Sequence, residues 1–277
     1  MDKKLRAVFG LKFNPFAADV PASSLHVTPR TELFCRRIER QAGEGGFALV
    51  SGDPGTGKSA ALRILTERLA GLRDVSVGTL TRPQASMADF YRELGDLFGV
   101  ALAPHNRWAG AKALREKWLA HAESALSRPV LVVDEAQEAS TAVLCELRLL
   151  TSAELDSQSI LTVVLSGDGR LTERLRTPEL VPLGSRVRAR LHLEYASPEE
   201  LRECLAHLLE QAGTPKLMTP PLVIALCEHA AGNRRALMNM ANELLDVALE
   251  RELTQLDEGL YLETFASEAN SKKRRRT

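Results

Sequence analysis

Apolar residues recur along the chain in two registers. From about residue 46 to 195, short apolar runs alternate with amphipathic stretches of helical period; beyond that only the helical period remains. Residues 46–51 (GFALVS), 75–80, 130–133, 160–165 and 191–195 read as strands. Residues 130–133 form a near-continuous β-branched run, the pattern of a strand covered on both faces. Helices are predicted over 58–69, with Leu62, Leu65 and Leu69 on one side, and over 86–98, with Phe90, Leu94 and Leu97. Two more fall at 111–126, with Leu114, Trp118, Leu119 and Leu126 as the apolar side, and at 141–150. Such alternation predicts an α/β fold in which a parallel sheet is sandwiched by helices.

A second unit follows. Ser197 can cap a helix, Pro198 suits its first position, and Glu200 completes a capping box. Thr219-Pro220 starts another helix, Gly232-Asn233 breaks the chain, and residues 234–249 resume as a long helix. The expected organisation is an N-terminal segment at 1–45, an αβ core at 46–196, an all-helical unit at 197–269 and a basic tail at 270–277. That tail has nothing apolar to bury and reads as disordered.

Composition narrows the class. Hydrophobic residues at 44% and charged residues at 26% fit a soluble globular protein. The apolar runs are strand-sized, far short of the roughly 20 residues of a membrane span. The N-terminus predicts no signal peptide. Four cysteines, Cys35, Cys145, Cys204 and Cys227, form no CxxC pair and read as core thiols in a reducing cytoplasm. Aromatics at 5% argue against a base-stacking platform. The 36 basic and 36 acidic residues cancel, but Lys272, Lys273, Arg274, Arg275 and Arg276 hold five of the positive charges. The body is therefore acidic by about five charges and the end is basic.

The chemistry starts at Gly52-Asp53-Pro54-Gly55-Thr56-Gly57-Lys58-Ser59, with Ala60 behind it. It fits G-x-x-x-x-G-K-[ST] in full, between a predicted strand and a predicted helix. Glycines let backbone N–H groups curl around phosphate oxygens, and the helix offers its positive end. Lys58 can reach the β- and γ-phosphates of ATP, and Ser59 can ligate Mg²⁺. Asp134 and Glu135 follow the run 130–133. Asp134 suits the Mg²⁺ shell and Glu135 suits the general base that polarises water. After the strand at 160–165, Ser166 and Asp168 both qualify as a γ-phosphate sensor, and a plain turn is the competing reading. Arg186, Arg188 and Arg190 alternate before the last strand and could act in trans on a neighbour's phosphates, or form a solvated basic face. Arg235, after Gly232-Asn233, could tie the helical unit to phosphate. The six histidines show no ligand spacing, and Trp108 and Trp118 read as packing residues.

These residues together resemble the AAA+ ATPases, and more narrowly the ExeA/GspA-type group with its transposition relatives of the TnsC, TniB and MuB kind. The resemblance runs over residues 9–250. It implies an AAA+ P-loop fold with a helical lid, ATP and Mg²⁺ held between core and lid, and self-assembly into rings or filaments. Phe9-Gly10-Leu11-Lys12-Phe13-Asn14-Pro15-Phe16 resembles the group's Phe-x-x-x-Pro-Phe opening, which implies a place for Phe13 and Phe16 near adenine. Arg186 and Arg190 fall on its Arg-x-x-x-Arg step, and Arg235 on its sensor-2 arginine. Two departures stand out: Asp168 is an acid where the family carries Gln, Thr or Asn, and Arg234 replaces the usual Pro.

Secretion members of this group carry a membrane span and a peptidoglycan-binding region after the ATPase unit. These 277 residues show neither and finish on a basic block suited to phosphate backbone. The expectation is therefore an ATP-dependent regulator of DNA transposition that assembles on duplex DNA and engages a transposase. The alternatives are an ATPase that energises envelope secretion or cell-wall insertion, and a nucleotide-dependent switch.

Overall fold

Strands apolar on both faces can only lie inside a sheet, and three of them do. In the computed structural model, which describes residues 2–101, 107–124, 127–153 and 158–265, the elements in chain order are α1 (Asp2–Phe9), α2 (Pro29–Glu44), β1 (Gly46–Gly52), α3 (Lys58–Ala70), β2 (Val75–Leu80), α4 (Met87–Phe98), α5 (Arg107–Glu123), β3 (Arg128–Val133), α6 (Thr141–Thr151), a two-residue antiparallel pair β4 (Ser152–Ala153) and β5 (Gln158–Ser159), β6 (Thr162–Gly167), α7 (Gly169–Arg174), α8 (Val181–Gly184), β7 (Val187–Leu193), α9 (Pro198–Ala212), α10 (Pro220–His229) and α11 (Arg234–Glu250). Two units share the chain. Val27–Asp53 with Lys58–Leu193 form a sheet unit; Met1–His26, Pro54–Gly57 and Glu194–Thr277 form a helical unit.

In the sheet unit five parallel strands run in the order β2-β3-β6-β1-β7. The inner strands β1, β3 and β6 are almost wholly buried. The edge strand β7 alternates: Ala189 and Leu191 are buried while Arg188, Arg190 and His192 face solvent. This corrects the predicted strand at 191–195. Val187, Ala189, Leu191 and Leu193 form a one-sided pattern of period two, so Arg188 and Arg190 lie within the strand rather than before it. The predicted strand at 160–165 likewise shifts to Thr162–Gly167, carrying its end nearer the site.

Helix α2 was not anticipated, although its signals are plain afterwards. Thr28 caps it by accepting from Thr31 N at 3.2 Å, Pro29 opens it, and Phe34, Cys35, Ile38 and Ala42 fill its buried face. Trp118 packs in the core, edge-on to Phe98 with centroids 5.2 Å apart. Trp108 does not: it is 75% exposed, with Lys112 Nζ 5.5 Å from its ring centroid. All four cysteines are free, and burial pushes the Cys35 and Cys227 thiols up to about 11, as inert core thiols should be.

The helical unit is built on Leu201, Leu205, Leu209, Leu222, Leu226, Leu237, Leu244 and Leu245. The start of the chain joins this core through Leu5, Phe9, Leu11 and Phe16. Lys12 N donates to Ala212 O at 2.9 Å, and Asn14 Nδ2 to Asn242 Oδ1 at 2.8 Å. The expected N-terminal segment 1–45 is thus divided: its first part belongs to the helices and its last to the sheet. The capping box of α9 forms as read, with Glu200 N on Ser197 Oγ at 3.2 Å and Ser197 N on Glu200 Oε2 at 2.9 Å. Ser197→Ala should cost the helical unit about 1 kcal/mol, read as a lower midpoint in urea unfolding followed by circular dichroism. The basic end at 270–277 lies outside the described residues.

Candidate nucleotide site

The strand order places two strand ends on either side of β6. β1 runs into the phosphate loop, β3 ends at Asp134, and Ser166 lies in β6 between them. Ser59, at the start of α3, donates to Asp134 Oδ2 at 3.4 Å, and Ser166 donates to Asp134 Oδ1 at 2.8 Å. Glu135 N adds a bond to the same Oδ1 at 2.9 Å. Asp134 is therefore fixed on one oxygen by two donors, and its other oxygen faces Ser59. A hydroxyl and a carboxylate side by side are the hard oxygen donors that Mg²⁺ takes while keeping waters and phosphate oxygens as its other ligands.

Lys58 is 7% exposed, and its ammonium donates to Gly52 O at 2.7 Å and Asp53 O at 3.1 Å. Among the described residues no carboxylate pairs with it. A buried cation held only by carbonyl oxygens is a seat for an anion. Gly55 and Gly57 have φ of +87° and +104°, conformations that side chains resist. The loop's ends, Gly52, Asp53, Lys58 and Ser59, belong to the sheet unit, and its middle, Pro54–Gly57, clusters with the helical unit.

That middle is held from α11. Asn233 caps the helix through Ala236 N at 3.0 Å and donates to Pro54 O at 3.3 Å. Arg234 donates to Thr56 O at 2.7 Å. A Cβ on Gly55 would meet Asn233 Oδ1 at 2.1 Å, so glycine there is required by packing as well as by φ. Arg235, the residue expected to tie the helical unit to phosphate, is exposed. Consecutive helical residues diverge by about 100°, and the one facing the loop is Arg234.

Glu135 stands just past β3 with φ 49° and ψ 41°, a left-handed conformation that costs a non-glycine residue about 1 kcal/mol or more. Its carboxylate accepts from Gln137 Nε2. Asp168 has a structural role, and the positive field of Lys58 also reaches it. It caps α7, accepting from Arg170 N at 2.9 Å, and pairs with the Arg170 guanidinium at 2.8 Å, whose hydrogen bond holds its carboxyl below the usual range. Of the two sensor candidates, Ser166 touches the Asp134 cluster and Asp168 does not.

Arg186 donates to Pro182 O, and Arg190 to Gly184 O at 3.1 Å, so both tie down the turn of α8 within their own chain. Phe16 is 5% exposed inside the helical core, and Phe13 is half-buried against two clusters of the same unit. Both pack within the helical unit, and Phe16 also lines a cavity with Asn14, Asn239 and Asn242. Four contacts were missed from sequence: Ser166 to Asp134, Gln137 to Glu135, and Asn233 and Arg234 to the loop. The signals present were the run Asp134-Glu135-Ala136-Gln137 and the Gly-Asn-Arg-Arg step.

Comparison with known proteins agrees with this geometry. Residues 40–175 match the AAA domain family. The fold matches the ORC2 protein of Aeropyrum pernix in its ADP form, with TM-score 0.74 at 15% identity over 93% of this chain and 71% of that one. It also matches the RuvB Holliday junction branch migration motor of Thermotoga maritima, with TM-score 0.56 at 14% identity over 87% of this chain and 68% of that one. The chain belongs to the AAA+ ATPases. Within them it falls in the ExeA/GspA group: the general secretion pathway protein A of Aeromonas hydrophila is 31% identical over 237 residues, which is 84% of this chain and 42% of that protein. The chain thus spans less than half the length of that relative.

Proposed function

We propose that this chain binds ATP with Mg²⁺ and hydrolyses it, supplying nucleotide-driven work to an envelope secretion or cell-wall assembly. The observation that carries the hydrolytic reading is the cluster of Ser59, Asp134 and Glu135 beside a buried Lys58 whose ammonium is hydrogen-bonded to backbone carbonyls. The phosphate loop and Lys58 would hold the β- and γ-phosphates, and Glu135 would take the proton of the attacking water. Ser59 and Asp134 would hold Mg²⁺, which when bound neutralises charge on those phosphate oxygens. Arg186 or Arg190 would complete a neighbour's site in a ring or filament, Arg235 would reach the γ-phosphate, and Arg234 would steady the loop through Thr56 O.

The secretion-type reading rests on the Aeromonas relative and displaces the transposition regulator favoured above. The match covers less than half of that relative, so a span or wall-binding region missing from these 277 residues does not count against it. The transposition reading keeps one support, the basic run Lys272–Arg276. Electron microscopy and DNA retention at low salt, with a slowly hydrolysed ATP analogue and duplex DNA, separate the two. ATP hydrolysis without DNA retention or DNA-bound assemblies supports the secretion-type reading. Rings or filaments wrapped on duplex DNA would return the chain to the transposition type.

A further inference from the structure

Glu135 has a weakness as a general base. It is exposed, its backbone is left-handed, and its carboxylate has one side-chain partner among the described residues. That partner, Gln137, is buried, at 7% exposed, and its backbone is held by Arg174. Its carbonyl accepts from Arg174 Nη1 at 2.6 Å, and the same nitrogen reaches Ala139 O at 2.8 Å, so α7 clamps the turn that follows Glu135. Its Oε1 is buried, without a hydrogen-bond partner among the described residues. Gly167 leaves it room, because a Cβ there would stand 2.5 Å from Oε1 and 2.8 Å from Leu171 Cδ2.

We infer that Gln137 is the positioning residue of the general base, fixing the Glu135 carboxylate through its side-chain amide; this rests on the ATPase reading above. The chemistry suits an amide. A neutral N–H donor orients Oε2 and leaves Oε1 free to receive a proton. A Lys or Arg in its place would hold the carboxylate as firmly but draw off the negative charge that gives it basicity. The buried, unpartnered Oε1 is a cost that packing alone would remove by placing an apolar residue there. The turn keeps an amide instead.

Two variants test this. Gln137→Met keeps length and volume and removes the donor. It should lower kcat about 10- to 100-fold, the loss expected when a reacting group is displaced by an ångström. KM for ATP and the Kd for ADP should stay within about twofold, because among the described residues Gln137 makes no hydrogen bond to the phosphate loop or to Asp134. Gln137→His restores an N–H donor at this position and should recover a large part of the kcat lost in Gln137→Met. A disrupted turn would instead lower kcat in both variants alike, together with the thermal midpoint. Wild-type kcat in Gln137→Met, or no recovery in Gln137→His, overturns the inference. If the wild-type chain turns over no ATP, or Glu135→Gln leaves turnover intact, the ATPase reading falls and takes this one with it. Turnover lost in Glu135→Gln but kept in Gln137→Met removes this inference alone.

Discussion

Glu135→Gln should lower ATP turnover by about 10² to 10⁴-fold, the usual share of a general base, while leaving ATP bound. The substitution keeps the shape of the side chain and removes its ability to take a proton. The ground-state contacts stay: Lys58 lies on the carbonyls of Gly52 and Asp53, and Asp134 remains bonded to Ser59 and Ser166. Nucleotide should therefore accumulate as ATP on the protein, and any ATP-dependent assembly should persist rather than dissolve. Single-turnover hydrolysis of radiolabelled ATP, with nucleotide content measured after rapid desalting, reads both effects. Hydrolysis at the wild-type rate would assign the base elsewhere and leave the left-handed backbone of Glu135 without a catalytic reason. Equal loss of binding and turnover would make Glu135 a structural residue of the β3 end.

What the sequence revealed about this site, and what it hid, follows from whether neighbours in space are neighbours in the chain. The phosphate loop is contiguous, so Gly52 to Ser59 could be read whole, with the reason for each residue type. Asp134 and Glu135 were readable because a buried parallel strand ends in them, and such strands announce themselves as apolar runs. Ser166 and Asp168 lie two residues apart, and only the structure separates them. One is drawn to Asp134 by the adjacency of β6 and β3; the other is consumed as the cap of a short helix. Arg234 and Arg235 differ by a single step around a helix whose phase relative to the loop no pattern discloses. Strand β7 was misplaced for a related reason. Its arginines lie on the solvent face of an edge strand, where charged side chains break the apolar run that marks the inner strands. Trp108 shows the reverse error, a large apolar residue assigned to packing that stands in solvent.

Lys58→Ala should remove nucleotide binding altogether under ordinary assay conditions, by more than about 100-fold in Kd, equivalent to about 2.7 kcal/mol. The size follows from burial. Lys58 is 7% exposed and its ammonium hydrogen-bonds to two carbonyl oxygens, so it enters a phosphate complex already largely stripped of water. Its removal deletes the one side-chain cation of the loop and leaves two carbonyls facing the incoming phosphates. The glycine geometry survives, since Gly55 and Gly57 are shaped by backbone conformation and by the grip of Asn233 and Arg234 on the loop's middle residues. Loss of binding without loss of fold is the result expected. In thermal melts, saturating ATP with Mg²⁺ at about 100 times Kd should stabilise the wild type by about 2.7 kcal/mol and leave the variant's midpoint unmoved, while the ligand-free midpoints stay close. A variant that melts higher with ATP by as much as the wild type would show that the phosphates are held without Lys58. Arg234 would then be the next cation to remove, because its guanidinium already reaches the loop.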